Sequence, residues 1–200
     1  KESGGDLHKH LRHRKPYKKR TGSTEARGQI VDRVSIDERP SIVDEKIRLG
    51  DWEADTVIGK GHKGVLVTLA DRVSKKTLIG RATSKHAKVV TAVIIDLLKS
   101  EKERLKTITF DNGKEFAYHT QIKEVLEVDT YFAHPYHSWE RGLNENHNSL
   151  IRQYLPKEMS LDKVTDEEIT YIQNKLNNRP RKLLGYKTPN EVYDELCLVA

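Results

Sequence analysis

Residues 50–80 read GDWEADTVIGKGHKGVLVTLADRVSKKTLIG, and this stretch decides the fold of the chain. Two apolar runs of strand character, 65–70 and 77–80, flank a segment rich in turn formers at 71–76, which predicts a β-hairpin. A further short apolar run next to Asp55 predicts a strand ahead of that hairpin. The globular part of the chain therefore begins with three successive strands.

Helices and strands alternate after this hairpin. A helix is predicted where apolar residues recur at i, i+3, i+4, i+7 and i+8, with Ser84 as its cap; these residues are Val90, Val93, Ile94, Leu97 and Leu98. The other predicted elements are strands at 106–110 and 130–133 and helices at 116–126, 139–154, 166–178 and 189–196. Asn112 and Gly113 are expected to turn the chain because both tolerate positive φ. The order of elements indicates an α/β fold of the ribonuclease-H-like type, a mixed five-stranded sheet with flanking helices.

Three acidic residues are distinguished by their settings: Asp55 on the first strand, Asp111 directly after the fourth strand, and Glu145 in a helix. In a ribonuclease-H-like fold the first and fourth strands are neighbours, which would bring Asp55 and Asp111 together across 55 intervening residues. Converging carboxylates can hold two divalent cations, because Mg²⁺ and Mn²⁺ prefer oxygen ligands. A metal pair about 3.5 to 4 Å apart cuts or joins phosphodiesters. Spacing alone is weak support, since the chain has 30 acidic residues.

The helix that contains Glu145 has one apolar and one polar side. The apolar stripe consists of Leu143, Leu150, Ile151 and Tyr154, with His147 among them. Glu145 is predicted to lie nearly opposite, on a polar face shared with Arg141, Asn148 and Arg152. Two helical turns separate Glu145 from Arg152, so both point to one side. Asn144 and Asn148 either orient the glutamate, touch phosphate or lie on a plain solvated surface.

Other residues compete for a place in the site. Glu53, two residues before Asp55 on the same strand face, is either a secondary ligand or a surface residue. Glu115 either assists the metals or starts a helix, where an acid is favoured. Glu140 is the rival of Glu145 for the third position. A zinc site is disfavoured, because a site of two histidines and two cysteines, which His134, His137 and His147 could otherwise suggest, is impossible with Cys197 as the single cysteine.

The net charge of +6 is concentrated at the N-terminus. Residues 1–20 carry eight Lys or Arg against two acids, and the rest of the chain is balanced. We therefore predict a basic arm and linker at 1–48, and a ribonuclease-H-like domain with C-terminal helices at 49–200. Such an arm either contacts a polyanion or stays solvated. Its candidate DNA contacts are Lys15, Lys18, Lys19 and Arg20.

No apolar stretch approaches the roughly 20 residues needed to span a bilayer, and the first residues lack the apolar centre of a signal peptide. We expect a cytoplasmic, nucleoid-associated protein. Because residue 1 is Lys, we also expect the natural N-terminus to lie upstream.

Five blocks of sequence carry a family resemblance. They are GDWEADTVIGK, VTLADRVSKKTLI, TFDNGKEFA, HPYHSWERGLNENHNSLIRQYLPK and LNNRPRKLLGYKTPNEV. In this order they resemble the catalytic domain of DDE transposases of bacterial insertion sequences, most closely the insertion sequence 30 family, which is related to retroviral integrases. The resemblance covers about residues 30–195. It implies that Asp55, Asp111 and Glu145 form the metal-binding triad and that Arg152 meets DNA near it.

The resemblance also implies the reaction. Two Mg²⁺ or Mn²⁺ ions per active site would support attack by water at an element end, followed by attack of the freed 3′-hydroxyl on target DNA. We expect the full-length protein to be a homo-oligomer. Two alternatives stay open: a non-catalytic DNA-binding protein derived from a transposase, and a metal-dependent nuclease without joining activity.

Overall fold

The structure, a computed structural model, describes residues 30–135 and 142–199. Its strands are β1 (Asp51–Ile58), β2 (Val65–Asp71), β3 (Thr77–Ala82), β4 (Thr107–Phe110) and β5 (Asp129–Phe132). They form one sheet in the order β3-β2-β1-β4-β5. The β1–β2 and β2–β3 pairs are antiparallel, whereas β1–β4 and β4–β5 are parallel. The predicted mixed five-stranded sheet is confirmed.

The helices of the described residues are α1 (Ile42–Glu45), α2 (Ala87–Leu98), α3 (His119–Leu126), α4 (Gly142–Tyr154), α5 (Asp166–Asn177) and α6 (Pro189–Val199). Two cores lie on opposite faces of the sheet. Trp52 and Ala54 of β1 pack with α2 on one face, and Val57 packs with α4 and α5 on the other. Within residues 30–135 and 142–199, every helix is too short or too polar to span a lipid bilayer.

The pairing of β1 with β4 sets the position of the two predicted aspartates. Asp51 lies beside Thr107 and Glu53 beside Thr109 in this parallel register. Continued by two residues, the register sets Asp55 opposite Asp111. This register brings the backbones of the two aspartates side by side, just beyond the end of β4.

Residues 30–48 belong to the folded domain, so the predicted boundary at 48 is wrong for this segment. Val34 accepts a hydrogen bond from the Phe132 N–H (2.9 Å), and Val43 is fully buried. Arg39 is also buried and donates to Thr109 Oγ1 (2.9 Å). The segment has no apolar period because it is anchored by single side chains and one edge contact. The arm at 1–29, with Lys15, Lys18, Lys19 and Arg20, lies outside the described residues.

Two details of the predicted helices need correction. Helix α2 begins at Ala87, and Ser84 does not cap it; the Ser84 hydroxyl accepts instead from the His86 N–H (3.4 Å). On α4, Tyr154 is exposed, whereas Asn144 and His147 are buried beside Ile151. The buried side of α4 is thus more polar than its apolar stripe predicts.

Candidate active site

Asp55 is held in place by its own strand and by α4. Its Oδ1 accepts a hydrogen bond from the Thr56 N–H (2.8 Å), and its Oδ2 accepts one from Asn148 Nδ2 (2.8 Å). The Thr68 hydroxyl lies 3.3 Å from both the Asp55 carbonyl oxygen and Asn148 Oδ1. Asn148, for which the sequence leaves open orienting Glu145, touching phosphate or lying on a plain surface, donates from its side-chain amide to the first aspartate.

Asp111 is oriented by the turn that follows β4. Its Oδ1 accepts from the Gly113 N–H (2.8 Å), which is the local bond that aspartate commonly makes in turns. The predicted positive φ is wrong here, because φ of Gly113 is −68° and Asn112 is not among the positive-φ residues. Glycine is required for space instead. A Cβ at position 113 would lie 2.4 Å from Glu115 Oε2 and 2.8 Å from Asp111 Oδ1.

Glu115 is a second carboxylate in this turn, and only 5% of its surface is exposed. It lies in a 3-10 turn, Lys114–Phe116, and not in a regular helix. Its Oε1 accepts from Thr56 Oγ1 (2.9 Å) and pairs with Lys85 Nζ (2.9 Å). Glu115 is therefore part of the candidate site and not simply the start of a helix.

Glu53 is placed differently, although it shares a strand face with Asp55. Its carboxylate is buried, with 3% of the residue exposed, and Arg72 Nη1 lies 2.8 Å from Oε1. The expectation of a surface residue is wrong. The pairing with a buried guanidinium neutralises the charge of Glu53 inside the protein, which favours a structural role for this carboxylate.

Glu145 lies in α4, three residues before Asn148, so about one helical turn separates the two backbones. The side chain of Glu145 lies outside the described part of the structure, as do residues 136–141. The roles predicted for Glu145, Glu140 and Arg141 therefore stay predictions.

Arg152 joins the end of α4 to the end of β1. Its Nη2 donates to the Ile58 carbonyl (2.6 Å) and its Nη1 to the Leu155 carbonyl (3.4 Å). Partial burial lowers the pKa of the Arg152 guanidinium from its ordinary value. The predicted DNA contact is untested, and the structure adds a role in fixing α4 against the strand that carries Asp55.

The histidines weighed as zinc ligands have other partners. His134 Nε2 lies 2.8 Å from Asp37 Oδ2, whereas the buried His147 ring faces the carbonyls of Leu143 (2.8 Å) and Lys75 (3.1 Å). Burial lowers the pKa of the His147 imidazole. Among the described side chains, which exclude His137 and Glu145, there is no group of three or more His, Cys, Asp or Glu that could hold a metal ion.

A groove of about 700 Å³ adjoins the candidate site. It is lined by Ser84, Lys85, His86, Ala87, Asn112, Gly113, Lys114 and Glu115. The Asn112 side chain forms its wall, donating to the Ala133 carbonyl (2.5 Å) and accepting from the Arg33 guanidinium. Sequence reasoning missed Thr56, Lys85 and Arg33, because their contacts bridge segments far apart in the chain. The sequence gives a hint only for Thr56, because it directly follows Asp55.

No family model matches the chain, but curated relatives do. It is 51% identical over 197 residues to a transposase for insertion sequence element IS4351 of Bacteroides fragilis, covering 98% of this chain and 60% of that protein. It is 37% identical over 174 residues to a transposase for IS1086 of Cupriavidus metallidurans, covering 86% and 51%. It is 40% identical over 166 residues to transposase InsI for IS30A of Escherichia coli, covering 82% and 43%. The chain thus spans about half the length of these relatives.

Two solved structures share the fold. A chain of the simian T-cell lymphotropic virus intasome, solved with a regulatory subunit of PP2A, gives a TM-score of 0.59 at 18% identity over 71% of this chain and 53% of that chain. The catalytic core domain of BIV integrase gives 0.55 at 20% identity over 73% and 94%. At these identities the likeness concerns the fold alone. The predicted ribonuclease-H-like fold and the predicted resemblance to insertion sequence 30 transposases are both confirmed.

Proposed function

We propose that this chain, a homologue of insertion-sequence transposases over most of its length, is the catalytic domain of a DNA transposase. The observation that carries the proposal is the parallel pairing of β1 with β4, because its register, continued by two residues beyond Glu53 and Thr109, sets Asp55 opposite Asp111. Both residues lie within the segment aligned with transposases. The substrates would be the DNA ends of the element and a target DNA.

We further propose that Asp55, Asp111 and Glu145 hold two Mg²⁺ or Mn²⁺ ions. Carboxylate oxygens are the donors these cations prefer. A carboxylate has about four acceptor positions, so the hydrogen bonds from the Thr56 N–H and the Asn148 amide are compatible with a metal on Asp55. When bound, such ions activate a water or 3′-hydroxyl and stabilise the leaving oxygen.

The protein's own residues would fix the site in one geometry before DNA arrives. Asn148 and Thr56 orient the Asp55 carboxylate, and the Gly113 N–H orients that of Asp111. Preorganised ligands reduce the reorganisation needed during reaction. Water would attack a phosphodiester at the element end and release a 3′-hydroxyl. That hydroxyl would then attack a phosphodiester of the target, with no covalent protein intermediate.

DNA would approach from the side of α4, where Arg152, Asn148 and Arg141 are the proposed contacts, while Lys15, Lys18, Lys19 and Arg20 of the arm contact the backbone. Contacts to phosphate position a protein on DNA and do not read its sequence. We propose that the full-length protein acts as a homo-oligomer, cytoplasmic and associated with the nucleoid.

The test is a gel assay with labelled DNA ends of the element, incubated with the protein and Mg²⁺, Mn²⁺ or excess chelator. We expect nicking at the end with either metal and none with chelator. Pre-cut ends with a free 3′-hydroxyl, mixed with target DNA, should give joined products. Nicking without joining would identify a nuclease, and activity in chelator would overturn the metal mechanism. The absence of both reactions, with DNA binding retained, would favour the non-catalytic alternative.

A further inference from the structure

We propose that Glu115 is a positioning residue that locks the strand carrying Asp55 to the turn carrying Asp111. The inference rests on the proposed function, because it concerns the same pair of carboxylates. Glu115 follows Asp111 by four residues and is 5% exposed. A buried carboxylate is costly unless it is hydrogen-bonded and paired, so its partners indicate why it is there.

One partner connects Glu115 with β1. Thr56 Oγ1 donates to Glu115 Oε1 (2.9 Å), while the Thr56 N–H donates to Asp55 Oδ1 (2.8 Å). Successive side chains of a strand point to opposite faces. Thr56 therefore reaches Glu115 on one face of the sheet while its backbone holds Asp55, which α4 contacts on the other face through Asn148. Movement of Glu115 would be transmitted to Asp55 through this single residue.

The other side of Glu115 packs against the turn of Asp111. A Cβ built on Gly113 would lie within 2.4 Å of Glu115 Oε2 and 2.6 Å of its Cδ, so the carboxylate occupies the space beside this glycine. The N–H of the same glycine donates to Asp111 Oδ1 (2.8 Å). Glu115 thereby supports a backbone group that orients Asp111.

Lys85 supplies the charge that this arrangement needs. Its Nζ lies 2.9 Å from Glu115 Oε1, and its side chain is 45% exposed. A buried carboxylate close to Asp111 would otherwise repel it. With Oε1 shared between a hydroxyl and an ammonium, and Oε2 set beside Gly113, Glu115 is suited to hold its neighbours in place.

Two substitutions separate positioning from metal ligation. Glu115→Gln keeps an oxygen that accepts from Thr56 and nearly the same shape, but it removes the charge. Glu115→Ala removes both. A positioning residue tolerates the first change much better than the second, whereas a metal ligand fails in both. Glu124→Gln and Glu124→Ala, on the exposed side of α3, are the matched controls.

The experiment measures Mn²⁺ binding by titration calorimetry and, separately, kcat and KM for nicking of the element end. For Glu115→Ala we expect Mn²⁺ affinity and kcat each to fall about 10-fold or more, the usual effect of losing a group that orients ligands. KM for DNA should stay within about twofold, because no phosphate contact is lost. Glu115→Gln should retain affinity to within about threefold, and the Glu124 variants should match the wild type.

A second pair of variants guards against misfolding of Glu115→Ala. Thr56→Val removes the hydroxyl at nearly constant volume and should lower Mn²⁺ affinity in the same direction, and Thr56→Ser should restore it. If both Glu115→Ala and Thr56→Val show wild-type Mn²⁺ affinity and kcat, the proposed function of the chain is unaffected, but the role of Glu115 is overturned. A loss in Glu115→Gln as deep as in Asp111→Asn would also overturn it, by making Glu115 a ligand. If the wild type neither binds Mn²⁺ nor nicks DNA, the proposed function fails as well.

Discussion

Two carboxylates on the same face of β1, only two residues apart, have opposite surroundings. Glu53 is almost fully buried against the Arg72 guanidinium (2.8 Å). Asp55 is partly exposed, and the hydrogen bonds to its carboxylate described above come from neutral groups, the Thr56 N–H and the Asn148 amide (both 2.8 Å). Burial against a guanidinium distinguishes Glu53 as a structural acid, although strand alternation sets both side chains on one face.

The segment at 30–48 accounts for much of this difference. Asp44 of α1 contacts Arg72 (3.1 Å) and Arg39 (2.5 Å), and Arg39 in turn reaches Thr109 on β4. The half of β1 that contains Glu53 is thus covered by an ionic network. At the Asp55 half, Lys85 pairs with Glu115. The same strand therefore carries a buried acid within an ionic network, Glu53, and a partly exposed acid, Asp55.

A large loss of activity is expected when the negative charge of Asp111 is removed. Asp111→Asn should reduce metal-dependent nicking by about 10³-fold or more, equal to roughly 4 kcal/mol of barrier. Asparagine keeps an oxygen for the Gly113 N–H, so the melting temperature and DNA binding should change little. A gel assay, thermal unfolding and a binding titration measure the three quantities. Nicking at wild-type rate would remove Asp111 from the mechanism.

The third acid is tested by a pair of variants. Glu145→Gln should eliminate nicking and joining, because Glu145 lies one turn before the Asn148 that contacts Asp55. Glu140→Gln should keep most activity, since an acid near a helix start is explained by the helix dipole. Assayed side by side, the two variants show which glutamate is the third acid of the site. The reverse result would show that Glu140 completes the site, and Arg152 would lose its predicted role.

The order of elements predicts the five-stranded sheet and the pairing of β1 with β4, and the structure confirms both. The same signals did not reveal the pairing of Glu53 with Arg72 or of Glu115 with Lys85. Ion pairs leave no periodic pattern in the sequence, because the tertiary structure determines which charged residues come together. Gly113 is instructive in the same way. Its turn was predicted, but the reason for glycine is the space taken by two carboxylates, not a positive φ.

For the buried Glu53, we expect substitution to reduce the stability of the protein and not its activity. Glu53→Gln should lower the free energy of unfolding by about 2 kcal/mol, because the buried Arg72 guanidinium loses its buried counterion and keeps only the exposed Asp44. Mn²⁺ affinity should change less than about twofold, as Glu53 is not proposed as a ligand. Denaturant unfolding and calorimetry measure these values, with the exposed Glu45→Gln as the control. A large loss of affinity at unchanged stability would place Glu53 among the ligands.

The smallest expected effect concerns the neutral donor on Asp55. Asn148→Ala removes the amide that donates to Asp55 Oδ2 (2.8 Å) but leaves the Thr56 N–H on the other oxygen. Mn²⁺ affinity should fall about 10-fold, the lower limit for losing a group that orients a ligand. Asn146→Ala, an exposed position on α4 with the same change in helix propensity, should match the wild type. If Asn148→Ala binds Mn²⁺ normally and loses only DNA affinity, Asn148 is a phosphate contact, and Asp55 needs no help from α4 to hold its carboxylate.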